Sequence, residues 1–423
     1  MYTKSVRSTE INVEGPATLR GEIAVSGSKN AALAQLAGAA LSGGQVVLEN
    51  VPQLDDVASF CNILNSIGVS CSRVGSTVLV SAGSVRNDAV IGTDLSSRTR
   101  ASVYCLGIFS ALRLRGRVGL PGGDGFSARP IDFHIEALRR FGVVVEFNSE
   151  FAIVSPRDLR GTRVPLPFPS VTGTCNCVMV ALHAVGETRI VNAARDPEVQ
   201  AFCRFLTRMG ARIGGIGTSE LVVDGPTELR PNHVVVEPDR SEIVTLAIAA
   251  GLTRGDVLIR FDGAFGLSRL VKVLERVGIA IRSESDGLRV SSEGPFCAFQ
   301  FECGPYPRLQ SDWQPIATAL ATGCAGRSWI SDEAFPNRRT HLEPLRVLGA
   351  KIHEKRTGFL VDGPTKLKGA IVTATDIRCA AALLVAGLAA DGVTTVNNAW
   401  QLDRGYEHID QKLQQLGARI WLS

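Results

Sequence analysis

Hydrophobic and polar positions along the chain follow one pattern six times. An amphipathic helical stretch ends in an apolar residue, a glycine and a second apolar residue. The instances are Ile67-Gly68-Val69, Phe141-Gly142-Val143, Met209-Gly210-Ala211, Val277-Gly278-Ile279, Leu348-Gly349-Ala350 and Leu416-Gly417-Ala418. The glycines stand 68 to 74 residues apart. A glycine just past a helix supplies the left-handed conformation that closes the last turn. The runs that follow, such as ARIGG, AKIHE and ARIWL, read as strands. Further upstream lie short β-branched runs closing on Asn, Asp or Pro: GQVVLENVP, ETRIVNAARDP, GDVLIRFD and GVTTVNNAW. Before them come helices of small residues, NAALAQLAGAAL, TLAIAAGL and AAALLVAGLAA. A helix apolar and small on every side packs closely against others and belongs in a buried centre. Each unit reads as strand–helix–strand–helix–strand–strand over about 70 residues, and such self-similarity marks a repeat architecture.

Six βαβαββ-like repeats predict an α/β protein with two lobes of three repeats each. The expected first lobe is 29–237; the second is 1–28 with 238–423. The run Glu10–Val25 has no helix before it and is expected to be an initial strand returning to the second half. The chain then crosses twice and leaves a cleft between lobes, the usual place for a small-molecule site.

Composition narrows the picture. Of 423 residues, 45% are hydrophobic and 20% charged, which excludes a wholly disordered chain. Lys+Arg 45 against Asp+Glu 41 gives a net charge of +4, too small and dispersed to expect a nucleic-acid or membrane partner. Local basic clusters remain able to hold a small anion. The longest apolar stretches, such as Cys379–Ala390, fall short of the roughly 20 residues of a membrane span. The opening MYTKSVRSTEINVEG has no apolar core of a secretory signal, so a cytoplasmic protein is expected. Among ten cysteines only Cys175 and Cys177 are close, no CxxC occurs, and the six histidines are scattered. That spacing argues against a disulfide framework or a zinc site.

Several polar positions stand out at strand-to-helix junctions. In Ser26-Gly27-Ser28-Lys29-Asn30, Ser28 can cap the next helix and Lys29 adds a charge beside open amides. The plain alternative is a solvated surface lysine. Leu120-Pro121-Gly122-Gly123-Asp124-Gly125 reads as a backbone-exposed lid with an acid, Asp124, able to deliver a proton if desolvated. Its plain alternative is a turn with a solvated Asp. Arg129 follows, held extended by Pro130. Arg100 starts an apolar helix, Asp376-Ile377-Arg378 precedes another, and Arg404 precedes a third. Lys29, Arg100, Arg129, Arg378 and Arg404 in equivalent places fit an anionic substrate with several phosphate or carboxylate groups. Asp312, also before an apolar helix, is either a cap or a base for a hydroxyl proton.

Together these segments resemble the enolpyruvyl transferase superfamily, in particular its members that act on UDP-N-acetylglucosamine. The resemblance rests on SGSKNAAL, NVPQLDDV, LPGGDGFSARPIDFH, NAARDPE, SDWQ, ATDIR and DRGYE, in order along nearly the whole chain. It implies a two-lobed inside-out α/β barrel that closes on its substrates. It implies transfer of the carboxyvinyl group of phosphoenolpyruvate to a hydroxyl of a uridine nucleotide, by addition and elimination, with release of phosphate. No metal and no organic cofactor are implied. By motif position, Lys29, Arg129 and Arg404 would hold phosphoenolpyruvate, with Asn30, Arg100 and Arg378 near it. Lys29, Asp124, Asp312 and Arg404 would be catalytic. Asp312 would face the acceptor hydroxyl, with Asp376 close by. Pro130 and Asp132 fall in the loop that recognises uracil, and Ser170 and Val171 in a diphosphate-contacting turn. Asp124 stands where the family usually has the cysteine alkylated by fosfomycin, which implies insensitivity to that epoxide.

Three departures lie on the acceptor side. The turn Ser170-Val171-Thr172-Gly173-Thr174 carries a side chain where the family has glycine. The segment 306–311 differs before Asp312, and Pro336 stands where an acid is common. The expected acceptor is therefore a different uridine nucleotide, the ribose 3′-hydroxyl of UMP as in nucleoside-antibiotic biosynthesis. The alternatives are UDP-N-acetylglucosamine, as in peptidoglycan synthesis, and a non-catalytic uridine-nucleotide-binding regulator.

Overall fold

The computed structural model of the chain describes residues 9–83, 85–123, 125, 130–263 and 266–423. These residues form two compact units. One comprises 9–26 with Pro238–Ser423, and the other Gly27–Gly123 with 130–237. Each unit holds three sheets, and all six follow one strand order, the sheet of Cys324–Asp332 carrying Gln300–Cys303 as an additional parallel strand. An edge strand pairs parallel with a second strand, and two antiparallel strands complete the order. In the sheet built on Gln45–Glu49 the parallel edge is His233–Val235, and Thr77–Ser81 and Ser70–Val74 follow. The repeat expected from the glycine spacing is thus a repeat of strand order.

All six glycines that end the pattern adopt positive φ: 99° at Gly68, 95° at Gly142, 108° at Gly210, 104° at Gly278, 104° at Gly349 and 97° at Gly417. A side chain there would be strained, which is why the residue recurs. Three buried helices lie inside each unit, and the three small-residue runs read from the sequence, in Lys29–Ala39, Arg240–Leu252 and Ile377–Ala389, are among them. In the unit from Gly27 the buried helices are Lys29–Ala39, Tyr104–Ala111 and Val171–Ala181, which pack on one another. In the other unit they are Arg240–Leu252, Gln314–Ala321 and Ile377–Ala389. Every residue of Arg240–Leu252 is buried, so its polar ends must be satisfied internally. Helices within and sheets around them are the inside-out α/β arrangement.

The expected single strand Glu10–Val25 is instead two, Glu10–Gly15 and Arg20–Ala24, in different sheets of one unit. Pro16 has no N–H to continue a ladder, and the chain turns there. Glu10–Gly15 pairs antiparallel with both Gly392–Asn397 and Arg419–Leu422, completing the sixth repeat. Arg20–Ala24 pairs parallel with Asp256–Arg260 and opens the fourth. Among the described residues no helix is long and apolar enough to cross a membrane.

Candidate active site

In the unit from Gly27, Lys29 is the first residue of helix Lys29–Ala39, and Ser28 caps it by accepting from the Ala31 amide at 3.4 Å. Gly27 is forced by contact: a Cβ there would lie 1.8 Å from the Asn50 carbonyl oxygen. Lys29 is buried, and its Nζ donates to Asp56 Oδ2 at 3.1 Å, also buried. Asp56 belongs to the segment NVPQLDDV, in the first turn of helix Asp55–Ser66. Sequence reasoning gave it no role, because an acid at a helix start reads as a dipole partner. Asn30 is half-buried.

Arg100 Nη2 donates to the Pro130 carbonyl at 3.3 Å. Asp132 is exposed at the start of helix Asp132–Arg140. Ser170 caps Val171–Ala181, its hydroxyl accepting from the Gly173 amide at 3.1 Å, and Val171 is half-buried. Asp124 and Arg129 lie outside the described residues.

A buried relay stands behind the Ser170 turn. Asn176 Nδ2 donates to the Val103 carbonyl at 3.0 Å and to His134 Nδ1 at 3.1 Å. His134 Nδ1 is therefore the acceptor, and the ring proton sits on Nε2. It points at Thr172 Oγ1, 3.3 Å away. Thr172, the departure noted in the turn, thus has its hydroxyl oxygen occupied and keeps its own proton to donate.

Burial pushes the His134 imidazole down to about 3, with the Arg100 charge adding. His341, buried in the other unit, is likewise pushed down to about 3 by burial and then by Arg338. Both rings stay neutral in the fold, whereas an unfolded histidine protonates near about 6.5. A depressed folded pKa gives stability that is complete above the unfolded value of about 6.5 and is lost as pH falls from there toward 3. The loss is up to about 1.4 kcal/mol per pH unit for each ring. Thermal melts at pH 7 and pH 5 check this. His134→Asn should lose less between the two than the parent does, and equal losses would remove His134 as a source.

In the other unit, the turn Ser311–Trp313 carries Asp312. Its Oδ1 accepts from Arg338 Nη1 at 2.8 Å. Its Oδ2 accepts from Arg378 Nε at 3.1 Å and Nη2 at 2.9 Å. Ser311 donates to buried Asp332, which also caps the Ala334 and Phe335 amides and so fixes the turn from behind. Trp313 Nε1 donates to Ser241 Oγ at 3.3 Å, and Arg240 lies over its ring at 5.4 Å. Arg378 sits 5.0 Å above the Tyr406 ring. Burial alone would lower the Arg378 guanidinium, but Tyr406, Asp312 and Asp239 outweigh it and hold it well above its ordinary range. Its Nη1 is a buried donor without a partner.

Asp376 is not placed to touch a ligand. It is 1% exposed, and its Oδ1 accepts from the Arg378 and Cys379 amides. Its Oδ2 accepts from the Thr340 and Thr375 hydroxyls. Its work is to cap Ile377–Ala389 and so aim Arg378. Arg404, 9% exposed at the end of the turn Ala399–Arg404, donates to Gln401 Oε1 at 2.9 Å. Sequence reasoning singled out Asp312 and Arg378 separately, Asp312 for the acceptor and Arg378 near phosphoenolpyruvate; the structure pairs them, and it adds Arg338, whose position in Pro336-Asn337-Arg338-Arg339 resembles an exposed turn.

One unit carries a buried lysine at a capped helix start. The other carries a carboxylate gripped by two enclosed guanidinium groups. Residues 13–413 match the family model EPSP synthase (3-phosphoshikimate 1-carboxyvinyltransferase). The chain belongs to this family and is an enolpyruvyl transferase.

Its relatives include the UDP-N-acetylglucosamine 1-carboxyvinyltransferase of Desulfatibacillum aliphaticivorans, 38% identical over 97% of this chain and 99% of that one. The enzyme of the same name from Chlorobium limicola is also 38% identical, over 96% and 97%. Among solved structures, the enolpyruvyl transferase NikO from Streptomyces tendae superposes with a TM-score of 0.88 at 24% identity, covering 97% of this chain and 98% of NikO. EPSP synthase of Acinetobacter baumannii follows with a TM-score of 0.77 at 16% identity, covering 98% and 99%. At these identities both structures carry the fold alone.

Proposed function

We propose that the chain moves the carboxyvinyl group of phosphoenolpyruvate onto the ribose 3′-hydroxyl of UMP and releases phosphate. Lys29, Arg129 and Arg404, with Asn30, Arg100 and Arg378 near them, neutralise the phosphate and carboxylate of phosphoenolpyruvate. Asp312 takes the hydroxyl proton while the oxygen attacks C2, and Asp124 gives a proton to C3. The tetrahedral intermediate then loses a C3 proton and phosphate, leaving the enol ether. Pro130 and Asp132 line the uracil end, and Ser170 and Val171 the phosphate end.

The observation that supports UMP is Thr172. Its side chain, tied to His134, stands at the start of helix Val171–Ala181 with a hydroxyl proton to give. An acceptor ending in one phosphate meets that donor; a sugar diphosphate has to pass it. UDP-N-acetylglucosamine is the second reading, favoured by the names of the relatives at 38% identity. Phosphate release measured with each acceptor decides between them. Equal or faster turnover with UDP-N-acetylglucosamine rejects UMP. Tight binding of both nucleotides without turnover returns the chain to a non-catalytic binder.

With Asp124 in place of the usual cysteine, the enzyme lacks the soft nucleophile that opens an epoxide. Incubation with fosfomycin is expected to leave both mass and activity unchanged. A covalent adduct with matching loss of activity would overturn this.

A further inference from the structure

Helix Asp55–Ser66 and strand Ser70–Val74 follow one another and pack together in the unit from Gly27. The strand is an edge of its sheet, and along it Cys71 and Arg73 are the half-buried positions between exposed neighbours. Side chains two apart on a strand share a face, and this one meets the helix. Asn65 fixes how the two elements meet. Its Oδ1 accepts from the Cys71 amide at 2.8 Å, and its Nδ2 donates to the Cys71 carbonyl at 3.3 Å. Cys61 stands one turn before Asn65, on the same side of the helix. Arg73 ties the strand to the start of the helix, donating from Nη1 to the Val51 carbonyl at 2.9 Å and from Nη2 to the Pro52 carbonyl at 3.0 Å. Held in this way, the side chains of Cys61 and Cys71, ten residues apart in sequence, hydrogen-bond each other. Both are half-buried at the margin of the core. Of the other eight cysteines seven are buried, and Cys297 is exposed.

The two thiols are unequal. The hydrogen bond from Cys71 lowers Cys61 below the ordinary thiol range; burial opposes this, and the Arg73 charge adds to it. Cys71, which donates that hydrogen bond and is itself shielded, is raised. The thiolate is the attacking species in disulfide exchange, so Cys61 is suited to attack and Cys71 to resolve.

We propose that Cys61 and Cys71 form a dithiol modification site, which a small disulfide of the glutathione type converts to a reversible Cys61–Cys71 disulfide. The Cys61 thiolate attacks one sulfur of the small disulfide. That S–S bond breaks, and the departing thiolate takes up the proton that Cys61 has released. Cys71 then gives up its proton and attacks Cys61 Sγ. The new bond forms as the second small thiolate leaves, and it takes the Cys71 proton. The dithiol is oxidised by two electrons, and the small disulfide is reduced to two thiols. The product joins the edge strand covalently to the helix whose first turn holds Asp56 against Lys29.

The test incubates the folded full chain with oxidised glutathione, quenches with acid, alkylates the remaining thiols in denaturant, and reads intact mass and mapped peptides. The parent is expected to lose two of its ten thiols and to become two hydrogens lighter, with Cys61 and Cys71 in one cross-linked peptide. Dithiothreitol should restore both thiols. Cys71→Ser is expected to stop at the mixed disulfide, with one glutathione on Cys61. Cys61→Ser is expected to keep Cys71 as a free thiol. A parent without the Cys61–Cys71 link overturns the proposal, whether it is unmodified or carries glutathione on Cys297 only. A scatter of links that includes the seven buried cysteines also overturns it, since exchange then follows unfolding. Glutathione on Cys71 in Cys61→Ser, with none on Cys61 in Cys71→Ser, overturns the assignment of attacker and resolver. If either variant does not fold, the parent's own link decides.

Discussion

Replacing Lys29 with methionine is expected to impair phosphoenolpyruvate use and to destabilise the fold, by two separable routes. The first is the loss of a charge-assisted contact to substrate, worth about 1.5–3 kcal/mol. That corresponds to a rise in KM for phosphoenolpyruvate of roughly 10- to 150-fold. The second route is internal. Lys29 Nζ and Asp56 Oδ2 are 3.1 Å apart and both residues are buried. Removing one partner of a buried pair leaves the other charge poorly compensated, at about 3–5 kcal/mol. Lys29→Met with Asp56→Asn removes both charges and should regain most of the melting temperature while KM stays high. If Lys29→Met keeps the parental KM for phosphoenolpyruvate, Lys29 is a structural cation and the substrate assignment is wrong.

Asp312→Asn is expected to lower kcat by roughly 10²- to 10⁴-fold, the usual contribution of a positioned base. The side chain keeps its shape, but only one of its two ends still accepts. Arg338 and Arg378 both present donors, so one of them faces an NH₂ group. Nucleotide binding, followed by calorimetry, should persist, since the uracil and phosphate ends are proposed to lie on residues of the other unit. Turnover within tenfold of the parent would exclude Asp312 from proton transfer.

The repeat was legible because it depends on local chemistry. Six glycines 68 to 74 residues apart meant six helix ends in the left-handed region, and each has a φ between 95° and 108°. The small-residue helices were equally plain, since a helix without a polar face has only a centre to occupy. Motif residues at helix starts, such as Lys29, Arg378 and Asp312, were visible for the same reason. Their partners were not. Asp56 stands 27 residues from Lys29, and Arg338 stands 26 from Asp312. Nothing in the sequence near either acid or arginine says that it is buried. The tautomer of His134, which decides what Thr172 can donate, needs the positions of Asn176 and Val103 together. The pairing of Glu10–Gly15 with Gly392–Asn397 is a tertiary choice, and Pro16 marks only the break after that strand.

That pairing also orders events on the ribosome. Glu10–Gly15 is an interior strand of its sheet, flanked by Gly392–Asn397 on one side and Arg419–Leu422 on the other. Of the strands in its sheet it is translated before its neighbours, and its backbone groups stay hydrogen-bonded to water until nearly four hundred further residues have been translated. The middle of the chain has by then supplied all the strands of the other unit. A nascent protein released before Leu422 therefore carries one finished half and one half with an open, adhesive edge, ready for a chaperone or a protease.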